Sequence, residues 1–146
     1  MNFDTFEREL KDELNHYSKD IESPYVYGYV EKIDRKEQII NDLEPLDRML
    51  AIINYQRNRK GQKIGEGDFG QQEWDSKVGN EFAEKARRGI ETECKDGDIV
   101  TLHFHFSSSK KDKSLKYYSD NYKTFYWICI LEKSSIVRYG KVEVKD

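Results

Sequence analysis

The 146-residue chain predicts an α+β domain, with three to four helices packed on one face of an antiparallel sheet of about four strands. Three observations carry that expectation. Apolar residues recur at helical spacing through residues 1–89, broken by one alternating stretch near 25–33. From Ile90 the period changes to two, so residues 90–146 read as β-rich. The last two alternating runs are separated only by Lys133-Ser134, short enough for a tight hairpin, which predicts a C-terminal three-stranded meander. Residues 1–146 are expected to form one domain, long enough to bury a core without disulfides.

The first helix follows from Phe3, Phe6, Leu10, Leu14, Tyr17 and Ile21, which form one apolar stripe. Asp4 and Glu7 have the spacing of a capping box, and Ser23-Pro24 stops the run. Tyr25 to Ile33 alternates and predicts a strand, with Gly28 marking a bulge. Asp34 and Glu37 repeat the capping pattern ahead of Ile39, Leu43, Leu46, Leu50 and Ile53. Pro45 either kinks that helix or opens a second one. Gly61 to Gln72 is glycine-rich and predicts a loop. Trp74, Val78, Phe82 and Ala86 then mark a further helix, with Gly89 placed as its C-terminal cap. Ile99–Phe106, Thr124–Glu132 and Ser135–Val144 read as strands. Thr124–Glu132 is apolar on both faces, which predicts the central strand.

Composition narrows the function classes. Charged residues make up 36% of the chain, but ten Tyr, seven Phe and two Trp argue for a folded core rather than disorder. Met1 to Leu14 is charged throughout, and no run approaches the roughly 20 apolar residues of a membrane span, so a cytoplasmic location without membrane contact is expected. Cys94 and Cys129 stand apart with no CxxC spacing and are expected as free thiols. The net charge of −3 hides an acidic excess in residues 1–48 and a basic remainder.

The densest chemistry lies in Ile99 to Phe106. Alternation puts Val100, Leu102, Phe104 and Phe106 on one face, and Thr101, His103 and His105 on the other. Two imidazoles would then stand side by side on an open sheet face, the only groups concentrated there that titrate near neutrality. A metal at His103 and His105 would need further ligands, and no spacing supplies them, so no metal or other cofactor is expected.

Gly65-Glu66-Gly67-Asp68-Phe69-Gly70 fits GxGxxG and looks like the glycine-rich loop of protein kinases, in which backbone amides approach phosphate. The preceding strand, the lysine-bearing strand and the catalytic-loop Asp of such folds have no counterpart, so an ordinary loop is expected. His105-Phe106-Ser107 and His16-Tyr17-Ser18 both read HxS. In this they resemble the paired motifs of the 2H phosphoesterase family, whose histidines act as acid and base on a phosphodiester. That resemblance implies a small phosphodiesterase using His16, His105 and Ser107. The family places both motifs on strands, whereas His16 lies in a helical stripe. Glu93-Cys94-Lys95 matches the ExK fragment of a nuclease metal site, and the following Asp-Gly-Asp reads as a turn.

The stretch Lys110, Lys111, Lys113, Lys116, Tyr117 and Tyr118 interleaves cations with aromatics, a workable surface for single-stranded nucleic acid. Arg57, Arg59, Lys60 and Lys63 form a second basic patch. A pI near 5.7 favours the other use of such a surface, protein recognition, for which tyrosine is well suited. The expected function is that of a small interaction or inhibitor protein, non-enzymatic, which masks a protein partner. Immunity proteins, antitoxins and phage counter-defence factors are of this type. Its binding residues would be His103, His105, Lys110, Lys111, Lys113, Lys116, Tyr117 and Tyr118. Nucleic-acid binding is the first alternative and the two-histidine phosphodiesterase the second.

Overall fold

The computed structural model describes residues 1–19, 24–33, 61–73, 75–108 and 122–144. Helix α1 spans Phe3–Ser18. It starts two residues earlier than the Asp4–Glu7 pattern suggests, because the Asn2 side chain accepts the Thr5 N–H at 2.8 Å and forms the N-cap. Asp4 and Glu7 instead reach Arg87 on the second helix. Phe6, Leu10 and Leu14 form the buried stripe, as their spacing predicts.

Strand β1 runs Pro24–Ile33, and β2 runs Gln62–Glu73. Helix α2 spans Ser76–Glu93, with the Asp75 carboxylate capping it by accepting the Val78 N–H at 2.7 Å. Strands β3 (Ile99–Ser108), β4 (Tyr122–Glu132) and β5 (Ser135–Val144) follow. The sheet has the order β2-β1-β3-β4-β5 and every pairing is antiparallel. Lys133 and Ser134, with φ of 49° and 59°, turn β4 into β5 through a tight hairpin with two left-handed residues. Gly97, at φ 92°, turns the chain into β3 within the expected Asp-Gly-Asp segment.

Four expectations need correction. The glycine-rich segment predicted as a loop is a strand, so among the described residues the sheet has five strands rather than about four. Two helices are present among the described residues rather than three to four, and the helical pattern read between residues 34 and 60 lies outside them. Gly89 does not cap α2 but sits within it, and the helix continues to Glu93. The reason is a close approach: a Cβ on Gly89 would lie 2.9 Å from the Gly65 Cα, so the missing side chain lets α2 rest on β2. Finally, β3 is the middle strand, and β4 lies one place from the edge.

One face of the sheet carries the core. Val30, Leu102, Phe104, Phe106, Phe125, Trp127 and Leu131 meet Phe6, Leu10 and Leu14 of α1 and Phe82, Ala86 and Ile90 of α2 in a single buried cluster. Both helices therefore lie on the same side, as predicted. The rings interlock: Tyr17 stacks on Phe125 with centroids 3.8 Å apart, and Phe6 meets Trp127 edge-on at 6.0 Å. Gly28 serves this packing too. A Cβ there would fall 2.2 Å from the Phe82 ring, so its absence forms the socket that seats Phe82.

Candidate functional site

The candidate site is the opposite face of β3, where Thr101, His103 and His105 project between β1 and β4. The register sets up parallel rows across the three strands. Glu31 faces Thr101, Tyr29 faces His103, and on the other side Tyr126 faces His103 and Thr124 faces His105. His103 is thus sandwiched between two tyrosines. Its ring stacks on Tyr29 at 4.3 Å and 17°, and meets Tyr126 edge-on at 4.2 Å and 70°. Its Nε2 lies 3.3 Å from Thr101 Oγ1. Lys63 of β2 sits over the far side of the row, with Nζ 4.7 Å from the Tyr29 ring centroid.

An open sheet face is not what the structure shows here. His103 is only 2% exposed, and Thr101, Thr124, Tyr126 and Glu31 are buried with it. The two imidazoles that alternation places together therefore differ in kind. His103 is a packing residue inside a polar-aromatic layer. His105 is half-buried, and its Nδ1 lies 2.7 Å from Thr124 Oγ1, a short contact that orients the ring. Alternation reports which face a side chain takes, not whether something covers that face.

The remaining candidates separate further. His16 is exposed on α1, its ring 5.7 Å from that of Tyr17. Because Tyr17 stacks on the helix-covered face of β4, the sheet stands between His16 and His105. The structure does not bring these two histidines to one substrate, as an acid–base pair requires. Ser107 lies in β3 paired with Tyr122 of β4. Lys110, Lys111, Lys113, Lys116, Tyr117 and Tyr118, like Arg57, Arg59 and Lys60, lie outside the described residues. Among the described residues no group of three or more His, Cys, Asp or Glu side chains converges as a metal site would need.

The ExK fragment also disperses. The Glu93 carboxylate accepts the Gly65 N–H, while the Lys95 N–H donates to Asp98 at 2.9 Å. Burial pushes the thiols of Cys94 and Cys129 up to about 12, the former helped by the neighbouring Asp98 charge, so both are held protonated. The GxGxxG segment departs from a phosphate loop in another way. Consecutive residues Tyr29 and Val30 of β1 pair with Asp68 and Ile64, so residues 65–67 bulge out of β2. Comparison with known proteins adds no family to this picture: no protein-family model, no curated protein and no solved structure matches the chain.

Sequence reasoning missed Glu13, a carboxylate on the helix side with four side-chain donors. One of its oxygens accepts the Trp127 indole N–H at 3.0 Å and the Tyr17 hydroxyl at 2.8 Å. The other accepts from Arg138 at 3.1 Å and Lys141 at 3.2 Å. Burial alone would raise this carboxyl, but hydrogen bonds from Tyr17, Lys141 and Trp127, with the Lys141 charge, hold it below the usual carboxylate range. Glu13 thereby ties α1 to β4 and β5. A signal was present, since an indole N–H in a buried strand needs an acceptor.

Among the described residues no helix is long and apolar enough to cross a membrane.

Proposed function

We propose that the protein is an interaction protein that works in the cytoplasm by binding and masking a protein partner, in the manner of an immunity protein, an antitoxin or a phage counter-defence factor. The recognition surface is centred on the end of the sheet at His105. One observation carries this placement: β3 and β4 stay paired out to Ser107 and Tyr122, immediately beyond His105 and Thr124. The segment that joins them, residues 109–121, is therefore tethered at both ends to that end of the sheet. It contains all four lysines and both adjacent tyrosines of the basic-aromatic stretch. Tyrosine supplies large contact area and a hydroxyl at small entropic cost, and lysine supplies steering toward an acidic patch. His103 supports the surface from beneath by bracing Tyr29 and Tyr126, rather than by touching the partner.

Affinity capture with the immobilised full chain tests the reading. The wild type is expected to retain one protein in stoichiometric amount after nuclease treatment. The combined change Lys110→Glu, Lys111→Glu, Lys113→Glu and Lys116→Glu is expected to release it, as is Tyr117→Ala with Tyr118→Ala, while thermal unfolding stays unchanged. Retention that disappears on nuclease treatment, with a gel shift of short single strands at low salt, would instead support nucleic-acid binding. Capture unaffected by both sets of changes would remove residues 109–121 from the surface.

A further inference from the structure

On the helix-covered side of the sheet, a cavity of about 200 Å³ lies between β2 and the last turns of α2, lined by Gly65, Lys85, Arg88, Gly89, Thr92 and Glu93. Its shape follows from two glycines. Gly65 opens the β2 bulge with φ +73°, a conformation that turns its amide away from the ladder. Gly89 lets the helix backbone come within contact of that bulge. The Gly65 amide is not idle, for it donates to the carboxylate of Glu93.

A backbone amide holding a carboxylate is an anion subsite already occupied by an anion. The cavity wall supplies two cationic side chains, Lys85 and Arg88, and Lys32 donates to the Glu93 carbonyl at 3.3 Å beside it. The space, about 200 Å³, is larger than a single carboxylate group, and Glu93 is one of the residues that line it. We infer that this cavity is an oxyanion-binding pocket whose resident occupant is the Glu93 carboxylate, which gives way to a ligand bearing a phosphate or carboxylate group. The Gly65 N–H holds the anion by a charge-assisted hydrogen bond, and Arg88 supplies the compensating charge. Glu93 sets the threshold: only an anion that outcompetes it enters. This pocket and the His105 surface lie on opposite sides of the sheet, so either stands or falls without the other.

The test is a nuclear magnetic resonance titration of the full chain, following the Gly65 amide. Inorganic phosphate and acetate are added in separate arms at constant ionic strength. Glu93→Gln is expected to show a saturable shift of Gly65, at an affinity about tenfold or more above the wild type. Glu93→Ala, which removes the competing oxygen altogether, is expected to do the same, and the amide spectrum itself reports whether each variant is folded. Adding Arg88→Glu to Glu93→Gln should abolish the shift. Tighter binding of phosphate would identify a phosphate-bearing ligand, and tighter binding of acetate a carboxylate-bearing one. The inference is overturned if neither anion shifts Gly65 saturably in either Glu93 variant. It is also overturned if the wild type binds as tightly as they do, or if Arg88→Glu leaves binding intact.

Discussion

The two sides of β3 are both buried at their centre, yet they are built from different materials. Toward the helices, Leu102, Phe104 and Phe106 are wholly covered and belong to the apolar and aromatic cluster. Away from them, Thr101 and His103 are just as covered, but they lie in rows with Glu31, Tyr29, Tyr126 and Thr124. The apolar side obtains its stability from area removed from water and from ring packing. The polar side must also satisfy its hydrogen-bonding groups, which makes it more specific in geometry and less forgiving of substitution. Burial alone therefore does not separate structural from functional residues here. Among the described side chains on this face of β3, Thr101 and His103 are buried and His105 is half-buried.

The largest effect should come from the apolar side. Phe104 touches the rings of Tyr17, Phe82, Phe106 and Phe125, so Phe104→Ala should destabilise the fold by about 3–5 kcal/mol in denaturant titrations. A loss under about 1 kcal/mol would mean the aromatic cluster is not the core described above. Next comes overpacking of the same side: Gly28→Ala puts a methyl into the Phe82 ring and near the His103 carbonyl, at a cost of about 2–3 kcal/mol.

Glu13 gives the helix side its pH dependence. Its folded-state pKa lies below the ordinary value of 4.5, so its contribution is complete above that value. It is lost as pH falls through the lower, folded value. Glu13→Gln should therefore cost about 1–2 kcal/mol at neutral pH and almost nothing at strongly acid pH. Equal destabilisation across the whole range would show that the four donors do not act through the ionised carboxylate. The smallest effect is expected at the far end of the polar side. His105→Ala should change stability by less than about 1 kcal/mol while weakening partner capture, because the ring is half-buried at the end of the layer.

Much of this frame was legible in the residues, for identifiable physical reasons. The stripe of α1, the β1 strand and the Lys133-Ser134 hairpin come from local periodicity and turn length, which tertiary contacts did not override. Gly61 to Gln72 was misread because glycines at short spacing signal a loop. In this chain they build a bulge in a strand and seat a helix. Gly89 misled for the same reason: a glycine at a helix end and a glycine under a helix contact look alike in sequence. At the candidate site, alternation placed Thr101, His103 and His105 on one face correctly. It gave no sign that His103 would be covered, because coverage depends on elements distant in the chain. Separation of His16 from His105 likewise depends on which side of the sheet α1 packs, a long-range fact that two tripeptides do not encode.

The central claim is that recognition occurs on the His105 side of the sheet end and not on the helix side. Site-specific photo-crosslinking tests it most directly. A photoreactive amino acid replaces His105, half-buried at the sheet end, in one sample and His16, exposed on α1, in the other. The account predicts a nuclease-resistant protein adduct from position 105 and none from position 16. Adducts from both positions alike, or from position 16 alone, would contradict it.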